Sequence, residues 1–203
     1  MKQSKPLPFV FIHIPKTAGT SIRYFLEKNL NYKINTYNSE EGEIGIHNCL
    51  FEIESINNLD EKTFVFAVCR NPYRRIYSYY KYFIKEGIIS KTTTFEEYLK
   101  IVDSTPFKDI KLDCVNQGRW LITKNNYPNK KIYYFEKLVE FEKDFNCILP
   151  HQNKTSFNIN LYKSDYTNDC KKRVFDICYD DFLTFDYSSD WENSLENKNF
   201  NYF

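Results

Sequence analysis

Glycine is scarce in this chain: five in 203 residues, beside seven prolines, three histidines and one methionine. No internal repeat, low-complexity block or clear linker is present. Net charge is also nearly absent, because 28 Lys and Arg oppose 27 Asp and Glu to leave +1. Without a global basic field, nucleic acid and anionic membrane surfaces are not expected partners, and any anion site must be local. Long apolar runs are missing too. Phe9 to Ile14 is only six residues, too short for a membrane span or the apolar core of a secretory signal. The chain is therefore expected to be soluble and cytoplasmic, working at the inner membrane surface if its substrate is lipid-linked. Six cysteines, at 49, 69, 114, 147, 170 and 178, form no CxxC pair. That removes metal-ligand spacing, and a disulfide framework does not suit a chain long enough to have a core. Asn153-Lys154-Thr155 is formally a glycosylation sequon but carries no weight in such a protein.

What is abundant is aromatic volume: 17 tyrosines and 18 phenylalanines within an 18% aromatic composition. This is the material of a folded core rather than of a disordered chain. The length suits a single domain over 1–203, with a polar tail loosening after about Ser188.

Three segments read as strands: the apolar run 8–14, "TFVFAVCR" from Thr63 to Arg70, and "KKIYYF" over 130–135. Helical spacing follows each, over 17–30, over "YRRIYSYYKYFIK" after Pro72, and over Glu136–Phe145. A short helix is expected within 49–59. Thr94 with Glu97 resembles a capping box opening a helix to about Val102. "GRWLI" at 118–122 fits strand or helix, 149–166 reads as loop, and 168–183 as one final helix. Strands alternating with helices imply an α/β fold, with a P-loop-like central parallel sheet flanked by helices. Ligands of such sheets sit at the carboxyl ends of strands.

Two strands end in suggestive residues. The first runs into "HIPKTAGTS", His13 to Ser21. A helix N-terminus attracts anions, glycine lets backbone come close, lysine adds charge and hydroxyls add donors. Lys16, Thr17, Ala18, Gly19, Thr20 and Ser21 thus form a candidate phosphate loop. It is not the Walker A pattern, because the lysine precedes the only glycine. An ordinary strand–helix turn with a threonine cap is the plainer reading. The second strand ends at Arg70, and Ser78 follows eight residues later, a little over two helical turns on. A guanidinium and a hydroxyl there suit a second phosphate; a structural ion pair for Arg70 is the competing view. Arg74 and Arg75 are expected to be solvated or paired with acids. The row Tyr77, Tyr79, Tyr80, Tyr82 and Phe83 covers every side of its helix, so most of it should be packing.

Taken together, the two segments resemble the paired signatures of the sulfotransferases that use 3′-phosphoadenosine 5′-phosphosulfate (PAPS). The form is that of the carbohydrate sulfotransferase type 2 family, which includes heparan sulfate 2-O-sulfotransferase and bacterial relatives. "HIPKTAGTS" resembles its 5′-phosphosulfate loop and "FVFAVCRNPYRRIYSYY" its 3′-phosphate segment. Weaker similarity runs through "GIHNCLFEI", "NQGRWL", "KIYYFEKL", "LPHQNKTS" and "YDDFLTFDYS", leaving 31–46 and 86–112 unmatched. Cys69 stands where the family usually has valine. The membrane anchor of the family's Golgi members has no counterpart, which favours a soluble, bacterial-type enzyme.

The resemblance implies in-line transfer of a sulfuryl group from PAPS to an acceptor hydroxyl, on a carbohydrate or glycolipid, with no metal. It places Lys16 at the 5′-phosphate and the leaving oxygen, the rest of the loop around the phosphosulfate, and Arg70 with Ser78 on the 3′-phosphate. His47 is the first choice for the base, since an imidazole titrates near neutral pH. His13 is a second candidate, with a packed histidine as the alternative. His151, Asn153 and Lys154 lie in a loop expected to close over the nucleotide. Gln117 is expected to face donor or acceptor, and Arg119 an acceptor, while Trp120 suits the core. Two rival readings stand beside this one: an ATP-dependent kinase on a P-loop-like fold, and an inactive nucleotide-binding module.

Overall fold

The three segments expected as strands pair into one parallel sheet. In the computed structural model, which describes residues 8–31, 48–104, 116–150 and 159–194, β1 (Phe9–Ile12), β2 (Phe64–Cys69) and β3 (Lys130–Tyr134) lie in the order β1-β2-β3. Val10 is opposite Val65, and Ala67 opposite Ile132. Side chains alternate between faces along a strand, and here the two faces differ in kind. Val10, Ile12, Val65 and Ala67 form an aliphatic face, packed with Leu50 and Ile53 of α2 (Leu50–Ile56) and with Trp120 and Tyr127. Phe11 and Phe66 lie on the other face, with ring centroids 5.2 Å apart. There Phe66 and Tyr133 meet Phe141 of α5 (Leu138–Asp144) at 5.9 and 5.3 Å. Phe25 of α1 (Gly19–Leu30) meets Phe141 edge-on. A sheet covered on both faces explains why β1 and β2 read as unbroken apolar runs.

The chain divides into two compact units, Met1–Cys69 with Gln117–Asn153, and Arg70–Asn116 with Lys154–Phe203. The first holds the sheet. The second is helical: α3 (Pro72–Lys85), α4 (Phe95–Ser104), α6 (Ile159–Asp165), α7 (Asn168–Ile177) and α8 (Tyr179–Thr184). Its helix starts follow elementary capping rules. Pro72 occupies the first turn of α3, and Asn71 accepts from the Arg74 N–H. Thr94 and Glu97 make the reciprocal bonds of a capping box. Thr167 accepts from the Cys170 N–H at the head of α7.

Aromatic rings fill this second unit, and their hydroxyls reach polar partners. Tyr77 donates to Asp165, Tyr80 to the Thr93 carbonyl, Tyr166 to the Tyr73 carbonyl and Tyr73 to the Ser189 carbonyl. Burial pushes the Tyr73 phenol up to about 12, with the Asp190 charge adding to it. Burial, then the bond to Asp165, raises Tyr77 far above its usual range. A phenol raised on folding supports the native state below the unfolded value of about 10 and loses that support as pH climbs toward the folded value. Urea midpoints should therefore hold to about pH 9 and fall steadily above about pH 10. A midpoint unchanged up to about pH 11.5, while tyrosinate absorbance appears, would contradict this packing.

The helix α6 forms where a loop was expected. Tyr162 at its centre is fully buried, stacked on Trp191 and edge-on to Tyr77. Contacts distant in sequence thus supply what local propensity does not. The final helix is two, broken at Cys178, which is the C-cap residue of α7 and the residue before α8. Residues 118–121 form a short 3-10 turn rather than strand or α-helix. Arg74 and Arg75, for which a solvated place was one expectation, are both buried, and Arg75 pairs with Asp181.

Candidate functional site

The loop after β1 is held by its own hydrogen bonds. The Ile14 N–H donates to the Ile12 carbonyl, and the Ile22 N–H to the Ala18 carbonyl at the start of α1. The Thr17 hydroxyl, expected to face an anion, instead donates to the Ile14 carbonyl at 2.7 Å and is fully buried. Thr17 therefore has only its backbone N–H left to offer outward. Lys16 and Ala18 both sit in the left-handed region, at φ 67° and 68°, while Thr17 between them does not. Each such non-glycine residue costs about 1–3 kcal/mol, and strain of this kind gathers at functional loops. Alternation of φ sign along successive residues turns their N–H groups into a concave, anion-binding nest.

The helix that follows begins without a cap. Ala18 offers no side-chain acceptor, and no acid lies in the first turn of α1; α3, α4 and α7 are capped by side chains, and α5 and α8, which are not, carry acids in their first turns. The orphan N–H groups of a helix start need an acceptor, and a bound anion supplies one. Lys16 is half-exposed and Thr20 exposed beside them, while Ser21 is buried.

Gly19 has a different explanation from the one expected. Its φ is not positive, so no left-handed turn demands glycine here. A β-carbon at this position would lie 1.8 Å from Cδ2 and 1.9 Å from Nε2 of His13. The imidazole occupies the space that any other residue would fill. His13 itself is 6% exposed and stacked on Phe11, with centroids 5.8 Å apart.

In the second unit, Arg70 follows the last residue of β2 directly and is 5% exposed. Residues 71–80 are buried with one exception, Ser78, which is half-buried. On a helix packed around its other sides, the hydroxyl lies where the surface opens. The tyrosine row is packing, as expected, with Tyr82 alone exposed among Tyr77, Tyr79, Tyr80, Tyr82 and Phe83.

Gln117 is fully buried, and its carbonyl accepts from the Trp120 N–H. Trp120 belongs to the aliphatic core, and Arg119 is exposed. His47, His151, Asn153 and Lys154 lie outside the described residues. Just after His47 the chain is firmly held: Asn48 is buried, and Glu52 accepts from the Cys49 N–H at 2.8 Å. Among the described residues no cluster of His, Cys, Asp and Glu could hold a metal ion, and no helix is long and apolar enough to cross a membrane.

The role of His13 under Gly19 is the feature that sequence reasoning missed. An alanine where helix caps favour Ser, Thr, Asp or Asn was a legible hint of the open helix start; nothing comparable marks the steric pair.

No curated protein and no solved structure matches the chain. The Sulfotransferase family matches residues 2–121, a span that takes in β1, the strained loop, α1, β2 and the Arg70–Ser78 segment. With more than half of its length inside that match, the chain belongs to the sulfotransferase family, whose chemistry is sulfuryl transfer.

Proposed function

We propose that the protein transfers a sulfuryl group from PAPS to an acceptor hydroxyl on a carbohydrate or glycolipid. The observation that carries this reading is the uncapped start of α1, preceded by a loop of alternating φ sign with a half-exposed lysine. Such a loop fits a doubly charged phosphosulfate end. The N–H groups of the loop, with the hydroxyls of Thr20 and Ser21, would hold the 5′-phosphosulfate. Arg70 and Ser78 would hold the 3′-phosphate, and Asn153, Lys154 and His151 would add donors around the nucleotide.

In the transfer, the acceptor oxygen forms its bond to sulfur as the bond from sulfur to the 5′-phosphate oxygen breaks. Lys16 offsets the charge that grows on the leaving oxygen. His47 takes the acceptor proton. The leaving group is 3′,5′-adenosine bisphosphate, and no step calls on a metal.

The test is label transfer from radioactive PAPS to a panel of glycans, lipids, phenols and peptides in magnesium-free buffer. The expected result is a labelled hydroxyl acceptor, strongest among glycans. Absence of label on every acceptor, with magnesium-dependent consumption of ATP instead, would overturn the reading. In the same assay His47→Ala should bind the bisphosphate as the wild type does and lose transfer about 10²-fold or more. Wild-type turnover in that variant would remove His47 as the base.

A further inference from the structure

The two ends of the anion loop touch each other. His13 is the first residue after β1 and lies on the sheet face of Phe9 and Phe11. Gly19 is the first residue of α1. Between them lie the two left-handed residues, Lys16 and Ala18. The strand side of the loop is braced by the bond from the Thr17 hydroxyl to the Ile14 carbonyl. At the helix side, the Cδ2–Nε2 edge of the imidazole stands where a β-carbon of residue 19 would be. A third ring atom, Cγ, would lie 2.7 Å from that carbon. These are atoms of a ring fixed by the strand on one side and by Phe11 stacking on the other, at 19° between planes. They are not the free end of a flexible side chain, so the contact resists displacement.

We infer that His13 is a positioning residue for the anion loop, and neither the base nor a ligand of the substrate. Its ring, between Phe11 and Gly19, fixes how the first N–H groups of α1 stand relative to the end of β1. Strained backbone persists only where its surroundings over-determine it, and this contact is one of the constraints that keep Lys16 and Ala18 in place. A loop held in its binding shape loses little freedom when the anion arrives, and affinity rises accordingly. The inference rests on the proposed assignment of this loop to the 5′-phosphosulfate.

The experiment uses the whole chain and two probes, 3′,5′-adenosine bisphosphate and adenosine 3′-monophosphate, which lacks the group that the loop would hold. His13→Ala should weaken the bisphosphate about tenfold through lost preorganisation and leave the monophosphate unchanged. A general structural lesion would weaken both. Gly19→Ala should abolish the extra affinity that the 5′-phosphate gives. The double variant His13→Ala/Gly19→Ala should recover bisphosphate binding to the level of His13→Ala, because the added methyl takes the space vacated by the ring. Equal binding of the bisphosphate by wild type and His13→Ala would overturn the inference. So would a folded double variant no better than a folded Gly19→Ala. If Gly19→Ala does not fold, the two-probe comparison on His13→Ala decides alone. Wild-type protein that binds neither probe overturns the functional reading and this inference with it; wild type that binds with unaltered His13→Ala overturns only the inference.

Discussion

Arg70→Ala is expected to abolish measurable binding of 3′,5′-adenosine bisphosphate while leaving the protein folded. Arg70 follows β2 and is 5% exposed. A guanidinium meets a phosphate through two parallel N–H···O bonds in a fixed fork, each strengthened by the opposite charges. Truncating one member of a buried charge pair costs about 2–5 kcal/mol, which is about 30-fold in affinity or more. Arg70→Lys keeps the charge but not the fork, so it should recover only part of the loss. Ser78→Ala removes a single hydrogen bond to a charged group and should cost about 1.5–3 kcal/mol. ATP has no 3′-phosphate, so any weak ATP binding should not change in Arg70→Ala. A folded Arg70→Ala that binds the bisphosphate within about threefold of wild type would refute the assignment of Arg70 to the 3′-phosphate.

The second large effect is on stability. Arg75 and Asp181 are each 1% exposed, with Nη1 and Oδ2 3.8 Å apart. They join α3 to α8 inside the helical unit. The Arg75 guanidinium also lies over the Tyr79 ring at 5.4 Å. A buried pair of this kind adds little net stability compared with apolar residues of the same volume, but removing one partner is strongly destabilising. Asp181→Ala should therefore lose about 3–5 kcal/mol in urea unfolding. In a chain of this size that corresponds to a melting temperature lower by about 6–20 °C. Replacing both members, Arg75→Met with Asp181→Leu, should restore most of the loss, since neither charge is then left in the interior. A loss below about 1 kcal/mol for Asp181→Ala would mean that Arg75 does not depend on this carboxylate.

The sheet was legible because β1 and β2 are unbroken apolar runs of four and six residues, as strands covered on both faces require, and because β3, which opens on two lysines, is followed by a helical pattern. The capping residues Thr94 and Asn71–Pro72 marked their helices for equally local reasons. What depended on distant contacts was not legible. The α6 helix relies on Tyr162 reaching Tyr77 and Trp191, partners far from it along the chain. The burial of Arg75 depends on Asp181, more than a hundred residues away. At the candidate site, the loop and the Arg70–Ser78 segment stood out by residue type and order. The reason for Gly19 did not, because a glycine kept small by a ligand and one kept small by a neighbouring imidazole look the same in a sequence. Thr17 gives the same lesson, since a hydroxyl beside a lysine reads as a ligand donor until its bond to the Ile14 carbonyl is seen.

On the proposed function, this chain grips a nucleotide by a 5′-phosphosulfate and a 3′-phosphate. Calorimetric titration of the wild-type protein with 3′,5′-adenosine bisphosphate, beside a titration with ATP and magnesium, tests it most directly. The expected result is tight, magnesium-independent binding of the bisphosphate and weak or undetectable binding of ATP. Tight binding of ATP with magnesium and none of the bisphosphate would contradict the account.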